Sequence, residues 1–364
     1  MARVEDDSAK MAGLRSRLLH WYEQNRRDLP WRQSRNPYGI WVSEIMLQQT
    51  RVAVVIERYR AFMERFPTVV SLALAGEDEV LALWSGLGYY RRARMLHKTA
   101  QFVAENLRGN LPATAEELRA LPGIGPYTAA AVASIAHGEP VAVVDGNVER
   151  VLCRFAGWDA SPRKGGGSAL RRRIESLAGK MLDAARPGDF NQAMMELGAM
   201  VCTPRSPACA QCPWQPECKT QGEHKVPQRA PMMSKAEAYA LATRLGPPEG
   251  KRRSTSTHEV LLEQRPAHLS VMPGLWELPR LVKAEVPQKD LRMTVRHAIM
   301  QVNYYVRIRN VFADDVERLT VKGENRRWVP LHEAAQMALT GLARKVLTRA
   351  RLLPPTPERN EKAH

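Results

Sequence analysis

The segment LPGIGPYTA, residues 121–129, connects two stretches of helical periodicity. Gly123 and Gly125, two residues apart where a helix opens, let backbone N–H groups point at an anion because neither residue carries a Cβ. In a basic chain the anion that fits best is a DNA phosphate, contacted without reading sequence. An ordinary turn between two helices with a glycine-rich corner explains the loop equally well. The loop alone therefore leaves both interpretations open.

Helical patterns surround this loop from about residue 9 to residue 200. Glycine and proline separate the amphipathic stretches, for example at Asn36-Pro37 and Phe66-Pro67, and no strand-like alternation runs for more than a few residues. The sequence therefore predicts an all-α domain that ends in an irregular cysteine-rich loop. The predicted helices cover residues 10–25, 41–65, 77–84, 89–107, 114–120, 126–136, 146–156, 168–185 and 190–200.

The net charge of the chain is +16, from 54 Lys and Arg against 38 Asp and Glu over 364 residues. The length suggests about two domains, and the positive charge makes a polyanion the leading partner. Residues 223–364 carry +10 and residues 1–222 carry +6, so both parts can lie against such a partner. No apolar run approaches the ~18 residues of a membrane span, and the polar N-terminus lacks the apolar centre of a signal peptide. We therefore expect a soluble intracellular protein with no membrane partner.

Four of the five cysteines, Cys202, Cys209, Cys212 and Cys218, fall in one short segment. A disulfide framework is typical of small secreted chains, so this run indicates a metal site instead. Zinc sites of four thiolates favour two close pairs far apart in sequence, whereas a single run is closer to iron–sulfur ligation. The spacing favours iron–sulfur and leaves zinc open. Cys153, in an apolar helix, is predicted to be a core residue.

The composition changes towards the C-terminus. Residues 223–235 carry two prolines and scattered charge, which is typical of a linker. Residues 236–353 are predicted to form a smaller α+β domain, and residues 354–364 a disordered tail. Within that domain the strand-like segments are 258–264 and 293–311, and the helix-forming end is 329–353.

Two carboxylates have surroundings that allow chemistry. Asp145 follows Tyr127 by 18 residues and directly precedes a helical run, where an Asp is most often an N-cap. Glu44 and Gln48 lie one turn apart on a helix, beside an apolar stripe that includes Trp41. A first-turn Glu is commonly only a partner of the helix dipole. A carboxyl at the edge of an apolar stripe can, however, hold a proton near neutral pH, as a general acid requires.

The order of these parts, LPGxG, then an Asp before a helix, then four cysteines, resembles the helix–hairpin–helix DNA glycosylase superfamily. The segment WVSEIMLQQTRV, residues 41–52, is similar to the signature of MutY-type adenine DNA glycosylases. The resemblance covers residues 14–222 and implies a mostly α catalytic domain over residues 1–222, with a 4Fe–4S cluster on the loop 202–218. It extends to the segments RDLPWR (27–32), GLGYYR (86–91) and NQAMMELGA (191–199).

The resemblance implies roles for the polar groups of this domain. Glu44 would protonate adenine at N7, and Asp145 would stabilise the positive charge that develops on the deoxyribose as the base leaves. Asn147 would help to hold Asp145 and the attacking water. Tyr127 occupies the position at which bifunctional relatives such as endonuclease III carry a Schiff-base lysine. A phenol cannot form an imine, so strand cleavage should be absent or weak; a purely helix-packing Tyr127 would lead to the same expectation.

Other residues match positions that contact DNA in this family. Adenine must leave the base stack to react, and Tyr89 matches the residue that wedges into the duplex beside it. An aromatic residue that merely begins a helix is the simpler alternative for Tyr89. The implied adenine pocket comprises Arg27, Trp31, Leu47, Gln48 and Gln192, and the implied contacts near the opposite base are Gln49 and Thr50.

The C-terminal domain resembles the Nudix-like domain of the same family, in QRP (264–266), GLWELP (274–279) and RRWVPL (326–331). That domain is implied to check for 8-oxoguanine opposite the adenine; it contains no Nudix box, so nucleotide hydrolysis is not expected. Where the family carries Phe-Ser-His, this chain has Ile299, Met300 and Gln301. A missing hydrogen bond costs about 1–3 kcal/mol of discrimination. We therefore expect a weaker preference for 8-oxoguanine:A over G:A, or recognition through a different contact.

The resemblance thus predicts a monofunctional, monomeric base-excision repair enzyme of the cytoplasm, at the bacterial nucleoid. Its partner would be double-stranded DNA with A:8-oxoguanine or A:G mispairs. Two other functions stay open: a related glycosylase that removes mismatched thymine or uracil, and a non-catalytic protein that only scans DNA. The signature at residues 41–52 and the long C-terminal domain favour the adenine branch, and the pair Glu44 and Asp145 favours catalysis.

Overall fold

The N-terminal part of the chain is helical. The structure, a computed structural model, describes residues 2–159, 167–224, 231–248, 256–269, 271–299, 301–323 and 325–354. No strand interrupts the described residues before 201, which confirms the predicted all-α region, and none of the described helices is long and apolar enough to cross a bilayer. The helices are α1 (Ala2–Asn25), α2 (Pro37–Leu47), α3 (Val52–Arg65), α4 (Val69–Ala73), α5 (Glu77–Leu83), α6 (Arg91–Asn106), α7 (Ala115–Ala120), α8 (Pro126–Val132), α9 (Gly146–Ala156), α10 (Gly167–Met181) and α11 (Pro187–Met200), with a π-helical turn at Ala133–His137 and 3-10 turns at Pro30–Arg32, Cys209–Gln211 and Gln215–Glu217.

The segment predicted as one helix over residues 41–65 is two helices, α2 and α3, so that prediction was wrong. The chain turns between Leu47 and Val52, and Gln49 has a φ of 57° in this turn. A left-handed residue is a common way to end an α-helix, but it is usually a glycine or an asparagine. Because the residue here is a glutamine, the sequence carries no visible signal for the break. The turn places Gln48, Gln49 and Thr50 in a connection between helices.

The chain divides into two compact units. The first comprises residues 1–49, 63–73 and 98–228, and the second comprises residues 50–62, 74–97 and 229–364. The second unit therefore combines the C-terminal part with two helical segments that the sequence placed in the catalytic domain. Hydrogen bonds hold these parts of the second unit together, from the Tyr90 hydroxyl to the Leu339 carbonyl (3.3 Å) and from Arg94 Nη2 to the Pro273 carbonyl (2.8 Å).

The core of the first unit lies between α1, α9, α10 and α11. Leu18, Leu152, Ile174 and Leu197 are fully buried in it. Trp214, from the cysteine-rich loop, is buried in the same core, and its indole N–H donates to the Leu14 carbonyl (2.9 Å). The loop is thereby anchored on the helices that carry the candidate site.

The second unit contains two sheets. In one sheet the strand order is β1-β6-β5, with β1 parallel and β5 antiparallel to β6; in the other, β3 pairs with β2, β4 and β7. Val260, Val306 and Val346 belong to the core that joins the sheets to the last helix. The elements are β1 (Met233–Leu241), β2 (Thr243–Pro248), β3 (Ser256–Gln264), β4 (Trp276–Glu277), β5 (Leu291–Ile299), β6 (Val302–Asn310), α12 (Val316–Leu319), β7 (Asn325–Pro330), α13 (Leu331–Gln336) and α14 (Gly341–Arg349).

The C-terminal part contains more strand than predicted. The predicted strands at 258–264 and 293–311 are confirmed as β3 and the hairpin β5–β6. The predicted helical end from 329 to 353 is corrected, because Val329 pairs with Val260 in a sheet and only α13 and α14 are helical there. Strand β1 begins at Met233, inside the predicted linker, since it pairs with β6. Residues 225–230 of that linker and 355–364 of the predicted tail lie outside the described residues.

Candidate functional site

Glu44 is a buried carboxyl on α2, only 5% exposed. The Tyr127 hydroxyl donates a hydrogen bond to Glu44 Oε2. Burial raises the pKa of Glu44 from 4.5 to about 7; the hydrogen bond from Tyr127 and the charge of Arg32 oppose this rise, and the charge of Asp145 adds to it. Burial therefore favours the protonated carboxyl near neutral pH, which is the property a general acid needs.

Tyr127 lies on α8, where the glycine-rich loop leads into the helix. Gly123 has a φ of 79°, which L side chains rarely adopt, Gly125 is the N-cap, and Pro126 occupies the first helical position. Gly123 and Gly125 are both exposed, so the start of the helix is open to a ligand. Burial and the neighbouring Glu44 raise the pKa of Tyr127 well above 10. The phenol therefore remains a hydrogen-bond donor to Glu44.

Asp145 caps α9 and is held from two sides. Its Oδ1 accepts a hydrogen bond from the Val148 backbone N–H (2.7 Å), and its Oδ2 accepts one from Asn147 Nδ2 (3.0 Å). The N-cap geometry expected from the sequence is confirmed, and the helix N-terminus favours the negative charge of the carboxylate. The charge of Asp145 acts on Glu44. The two predicted catalytic carboxyls therefore share one site.

Arg150 connects this carboxylate to the cysteine loop. Its Nη2 donates to Asn147 Oδ1 (2.9 Å) and to the Gly198 carbonyl (2.7 Å), and its Nε donates to the Cys202 carbonyl (2.7 Å). Gly198 permits this packing, because a Cβ there would lie 2.7 Å from the Cβ of Asn147. Neither Arg150 nor Gly198 was predicted from the sequence. The available signal was the position of Arg150, within about one helical turn of Asp145 and Asn147.

Glu196, on α11, binds two arginines of the RDLPWR segment. It is 1% exposed; its Oε1 accepts from Arg27 Nε (2.7 Å), and its Oε2 accepts from Arg27 Nη2 and Arg32 Nη2 (2.8 Å each). Burial alone would raise the pKa of Glu196, but the two guanidinium groups outweigh it and hold the pKa at about 2. Arg27 was predicted as a site residue, whereas Glu196 and Arg32 were not, although all three lie in segments that carry the resemblance.

The four predicted cluster ligands lie together in the loop that follows α11. Cys202, Cys209, Cys212 and Cys218 are partly buried and form no disulfide, and Cys153 is buried as predicted. Burial raises the pKa of Cys212 to about 11, and the charges of the other three sulfurs contribute. Four cysteines on one loop are the donor set of an iron–sulfur cluster, whose iron would stabilise their thiolate forms. Among the described residues, no group of three or more His, Cys, Asp or Glu side chains is arranged to hold a single metal ion.

Arg154 supplies positive charge next to these sulfurs. It is 3% exposed, and its guanidinium donates to the carbonyls of Thr203 (2.7 Å) and Pro204 (2.9 Å), while Nη1 lies 3.4 Å from Cys202 Sγ. The Cys218 sulfur lies 3.5 Å from the Arg154 carbonyl. A cluster held by four thiolates is anionic overall, so a buried guanidinium in hydrogen-bond range of one ligand fits it.

The predicted wedge residue lies on a loop of the second unit. Tyr89 is 52% exposed, and its φ of 46° is unusual for a residue other than glycine. Arg92 Nη2 donates to the carbonyls of Leu87 (3.0 Å) and Gly88 (3.2 Å) and to Thr50 Oγ1 (3.1 Å), and its guanidinium lies over the Tyr89 ring. One partly buried cation therefore holds Thr50 and the wedge loop together.

The remaining predicted residues are placed as follows. Gln48 Nε2 lies 3.5 Å from Thr128 Oγ1. Trp31 is buried in the 3-10 turn at Pro30–Arg32, Leu47 ends α2, and Gln192 lies half-buried on α11. Ile299 ends β5, and Gln301 is exposed at the tip of the β5–β6 hairpin. Met300 lies outside the described residues.

Two family models match the chain. Residues 42–176 match the HhH-GPD superfamily base excision DNA repair protein, a range that includes Glu44, Tyr127 and Asp145. This part of the chain is similar to the HhH-GPD superfamily. Residues 202–218, with all four cysteines, match the iron-sulfur binding domain of endonuclease III. This match confirms the predicted 4Fe–4S cofactor. It gives no support for zinc, which the spacing had left open.

Curated relatives of this chain are adenine DNA glycosylases, which confirms the predicted resemblance. The Homo sapiens enzyme is 50% identical over 224 residues, covering 59% of this chain and 40% of that protein. The Rattus norvegicus enzyme is 42% identical over 320 residues, covering 75% of this chain and 61% of that protein. The chain thus spans only part of the length of these relatives. Among solved structures, a thermostable thymine-DNA glycosylase is similar, with 28% identity and a TM-score of 0.53 over 59% of this chain and 98% of that one.

Proposed function

We propose that this chain is a base-excision repair DNA glycosylase that flips adenine out of duplex DNA and removes it hydrolytically where it faces 8-oxoguanine or guanine. The observation that carries the proposal is the buried Glu44, with a pKa of about 7, beside the carboxylate of Asp145. The adenine DNA glycosylases among its relatives support adenine as the base. The chain acts as a monomer on double-stranded DNA in the cytoplasm, at the nucleoid.

Glu44 acts as the general acid. Cleavage of the bond between adenine N9 and the sugar C1′ leaves the bonding electrons on the base, and a proton from Glu44 to N7 turns adenine into a neutral leaving group. Burial keeps this proton on the carboxyl near neutral pH, and the hydrogen bond from Tyr127 holds Oε2 in place. Because the reactive form is the protonated one, base release slows as the pH rises above about 7.

Asp145 stabilises the sugar. As the base leaves, positive charge develops on C1′ and the ring oxygen, and a carboxylate fixed by the Val148 N–H and by Asn147 lowers the energy of that state without reorganising. Water then adds to C1′ and loses a proton, which leaves an abasic site. Tyr127 cannot form an imine with that site, so the strand stays intact.

Base flipping and adenine binding fall to the other residues that the resemblance implies. Tyr89 wedges into the stack, Gln49 and Thr50 contact the opposite base, and the open N-terminus of α8 at Gly123 and Gly125 takes a phosphate. The adenine pocket comprises Arg27, Trp31, Leu47, Gln48 and Gln192, and Glu196 holds Arg27 in a fixed position before the base arrives.

The 4Fe–4S cluster would be held by Cys202, Cys209, Cys212 and Cys218. When bound, it would fix the fold of the loop 202–218 and supply one-electron redox chemistry. The Cys202 carbonyl accepts from Arg150, which in turn donates to Asn147. A misplaced loop therefore disturbs the hydrogen bonds that position Asp145.

Residues 1–222 are the catalytic domain and residues 236–353 a Nudix-like domain that recognises the lesion, with residues 223–235 between them. Ile299, Met300 and Gln301 stand in the sequence where the family carries Phe-Ser-His. They supply no hydroxyl and no imidazole, so discrimination between 8-oxoguanine and guanine is weakened by about 10- to 100-fold.

The test is base release from duplexes that carry A opposite 8-oxoguanine, G, C or T, with T:G and U:G duplexes alongside, in single turnovers of the cluster-loaded chain. We expect free adenine from A:8-oxoguanine and A:G and no strand scission until the abasic site is cleaved chemically. Release of thymine or uracil instead would show that the chain is a related mismatch glycosylase that removes these bases. Binding without any base release would make it a scanning protein.

A further inference from the structure

One face of the sheet β1-β6-β5 is basic and open. Arg296 on β5 lies opposite Tyr305 on β6, and Arg307 lies two residues further along β6 on the same face. On the neighbouring strand β1, Ala236 pairs with Tyr305 and Ala238 pairs with Arg307, so no large side chain from β1 lies beside them. Arg296, Asn303, Tyr305 and Arg307 are called the basic sheet face below.

Among the described residues, no carboxylate forms an ion pair with either arginine of this face. Arg296 Nη2 lies 3.4 Å from Asn303 Oδ1, and Arg307 Nη1 donates to the Ala284 carbonyl (3.2 Å). Other arginines of the same unit form ion pairs at 2.7 to 2.8 Å, namely Arg244 with Glu259, Arg265 with Glu277, Arg309 with Asp290 and Arg326 with Glu263. The basic sheet face is therefore suited to an external anion.

The face is also shaped in advance. The Arg296 guanidinium lies over the Tyr305 ring, 5.8 Å from its centroid, and Asn303 holds the same guanidinium from the side. Tyr305 is 46% exposed, although the opposite side of its strand is buried at Val306. A guanidinium fixed by a ring and an amide loses less freedom on binding than a mobile one.

The nature of the anion follows from spacing and position. Diagonal neighbours on adjacent antiparallel strands are about 7–8 Å apart, so Arg296 and Arg307 reach two separate anionic groups. The pair Arg296 and Tyr305 lies three residues from Ile299 and Val302, at the tip that the proposed function places against the lesion. A chain of regularly spaced phosphates satisfies both conditions.

We propose that the basic sheet face binds the phosphodiester backbone of the DNA duplex beside the mispair, with Arg296 and Arg307 each contacting one phosphate and Tyr305 packing against the sugar between them. The inference rests on the proposed function, because that function supplies the DNA. It gives a chain that has no Ser hydroxyl and no imidazole at residues 299–301 another source of affinity for the duplex. Ion pairs with the DNA backbone supply affinity that hydrogen bonds to the base would otherwise provide.

The experiment measures DNA affinity against salt concentration for the full cluster-loaded chain with Glu44→Gln, which prevents turnover. Each phosphate contact adds about 0.9 to the slope of log K against log salt, so Arg296→Ala with Arg307→Ala should lower the slope by about 1.8 and weaken binding on the order of tenfold. Because phosphates carry no sequence information, the loss should be equal on A:8-oxoguanine, A:G and undamaged duplexes.

Two matched variants serve as controls. Arg318→Ala with Lys322→Ala removes two positive charges from exposed positions of the same unit outside this sheet and should change the slope far less. Arg296→Lys with Arg307→Lys keeps the charge and should retain the slope. Thermal unfolding and the visible absorption of the cluster verify that each variant is folded.

Three outcomes would overturn the inference: an unchanged slope in the double alanine variant, an equal loss in the Arg318 and Lys322 control, or a loss confined to one mispair. If the DNA affinity is also unchanged, an acidic protein and not DNA would be the partner of the basic sheet face. Adenine release by the chain with Glu44 intact is assayed in parallel. If that release is normal while the slope does not move, this inference fails and the proposed function stands.

Discussion

The hydrogen bond from Tyr127 to Glu44 makes a prediction that separates general-acid catalysis from simple packing. Burial holds the pKa of Glu44 at about 7 against the opposing effect of this hydrogen bond. Hydrogen bonds to charged groups contribute about 1.5–3 kcal/mol, and one pKa unit corresponds to about 1.4 kcal/mol. Tyr127→Phe should therefore raise the pKa of Glu44 by about 1–2 units, to roughly 8–9.

The assay is the single-turnover rate of adenine release between pH 5.5 and 9.5. In the parent chain the rate should be level below pH 7 and fall by up to tenfold per pH unit above it. In Tyr127→Phe this alkaline limb should move upward by 1–2 pH units, whatever happens to the maximal rate. Tyr38→Phe is the matched control, because it removes another buried tyrosine hydroxyl, bonded to the Phe66 carbonyl at 2.9 Å, from the helix that carries Glu44.

An alkaline limb of Tyr127→Phe that stays in place or moves downward would refute this reasoning. Stability offers an independent check of the sign. A raised pKa means that the contribution of the Glu44 proton to stability is complete below about pH 4.5 and is lost as the pH rises through about 7. Glu44→Gln should therefore stabilise the chain, relative to the parent, more at pH 8 than at pH 5 in urea unfolding.

Three further substitutions test the groups that support the site. Gly198→Ala should lower the free energy of unfolding by about 1–3 kcal/mol, because its Cβ would press on Asn147; urea titration measures this. Arg150→Gln should slow adenine release about 10- to 100-fold with little change in DNA affinity, and should hasten loss of the cluster's visible absorption on storage. Glu196→Gln should lower the free energy of unfolding by about 3 kcal/mol at pH 7. The parent should lose stability as the pH falls from 4.5 towards 2, and this loss should be absent from the variant. Thermal unfolding at each pH measures both effects.

Local patterns were sufficient for most of the helical fold but not for its interruptions. Asn36 and Thr114 cap α2 and α7 through their side chains, as residues of their type do. The break after Leu47 escaped prediction because its left-handed residue is Gln49. Strand β1 escaped because its pairing partner, β6, lies more than 60 residues away in sequence, and only that partner makes the segment a strand.

The candidate site also combines residues that local sequence predicts with contacts that depend on distant parts of the chain. Asp145 and the four cysteines could be named from the sequence because each depends on neighbours within a few residues. The hydrogen bond between Tyr127 and Glu44 joins residues 83 positions apart. The hydrogen bond between Arg27 and Glu196 joins residues 169 positions apart. No spacing rule reaches that far. These contacts appear only when α2, α8 and α11 come together in the folded first unit.

The central claim, that the Glu44 proton makes adenine leave, is tested most directly by single-turnover release of adenine from an A:8-oxoguanine duplex by Glu44→Gln. The amide has the size of the carboxyl but no proton to give, so we predict a loss of at least 100-fold with DNA binding retained. Glu64→Gln, the same change at an exposed position of α3, should react like the parent. Adenine release by Glu44→Gln at the parental rate would contradict the account.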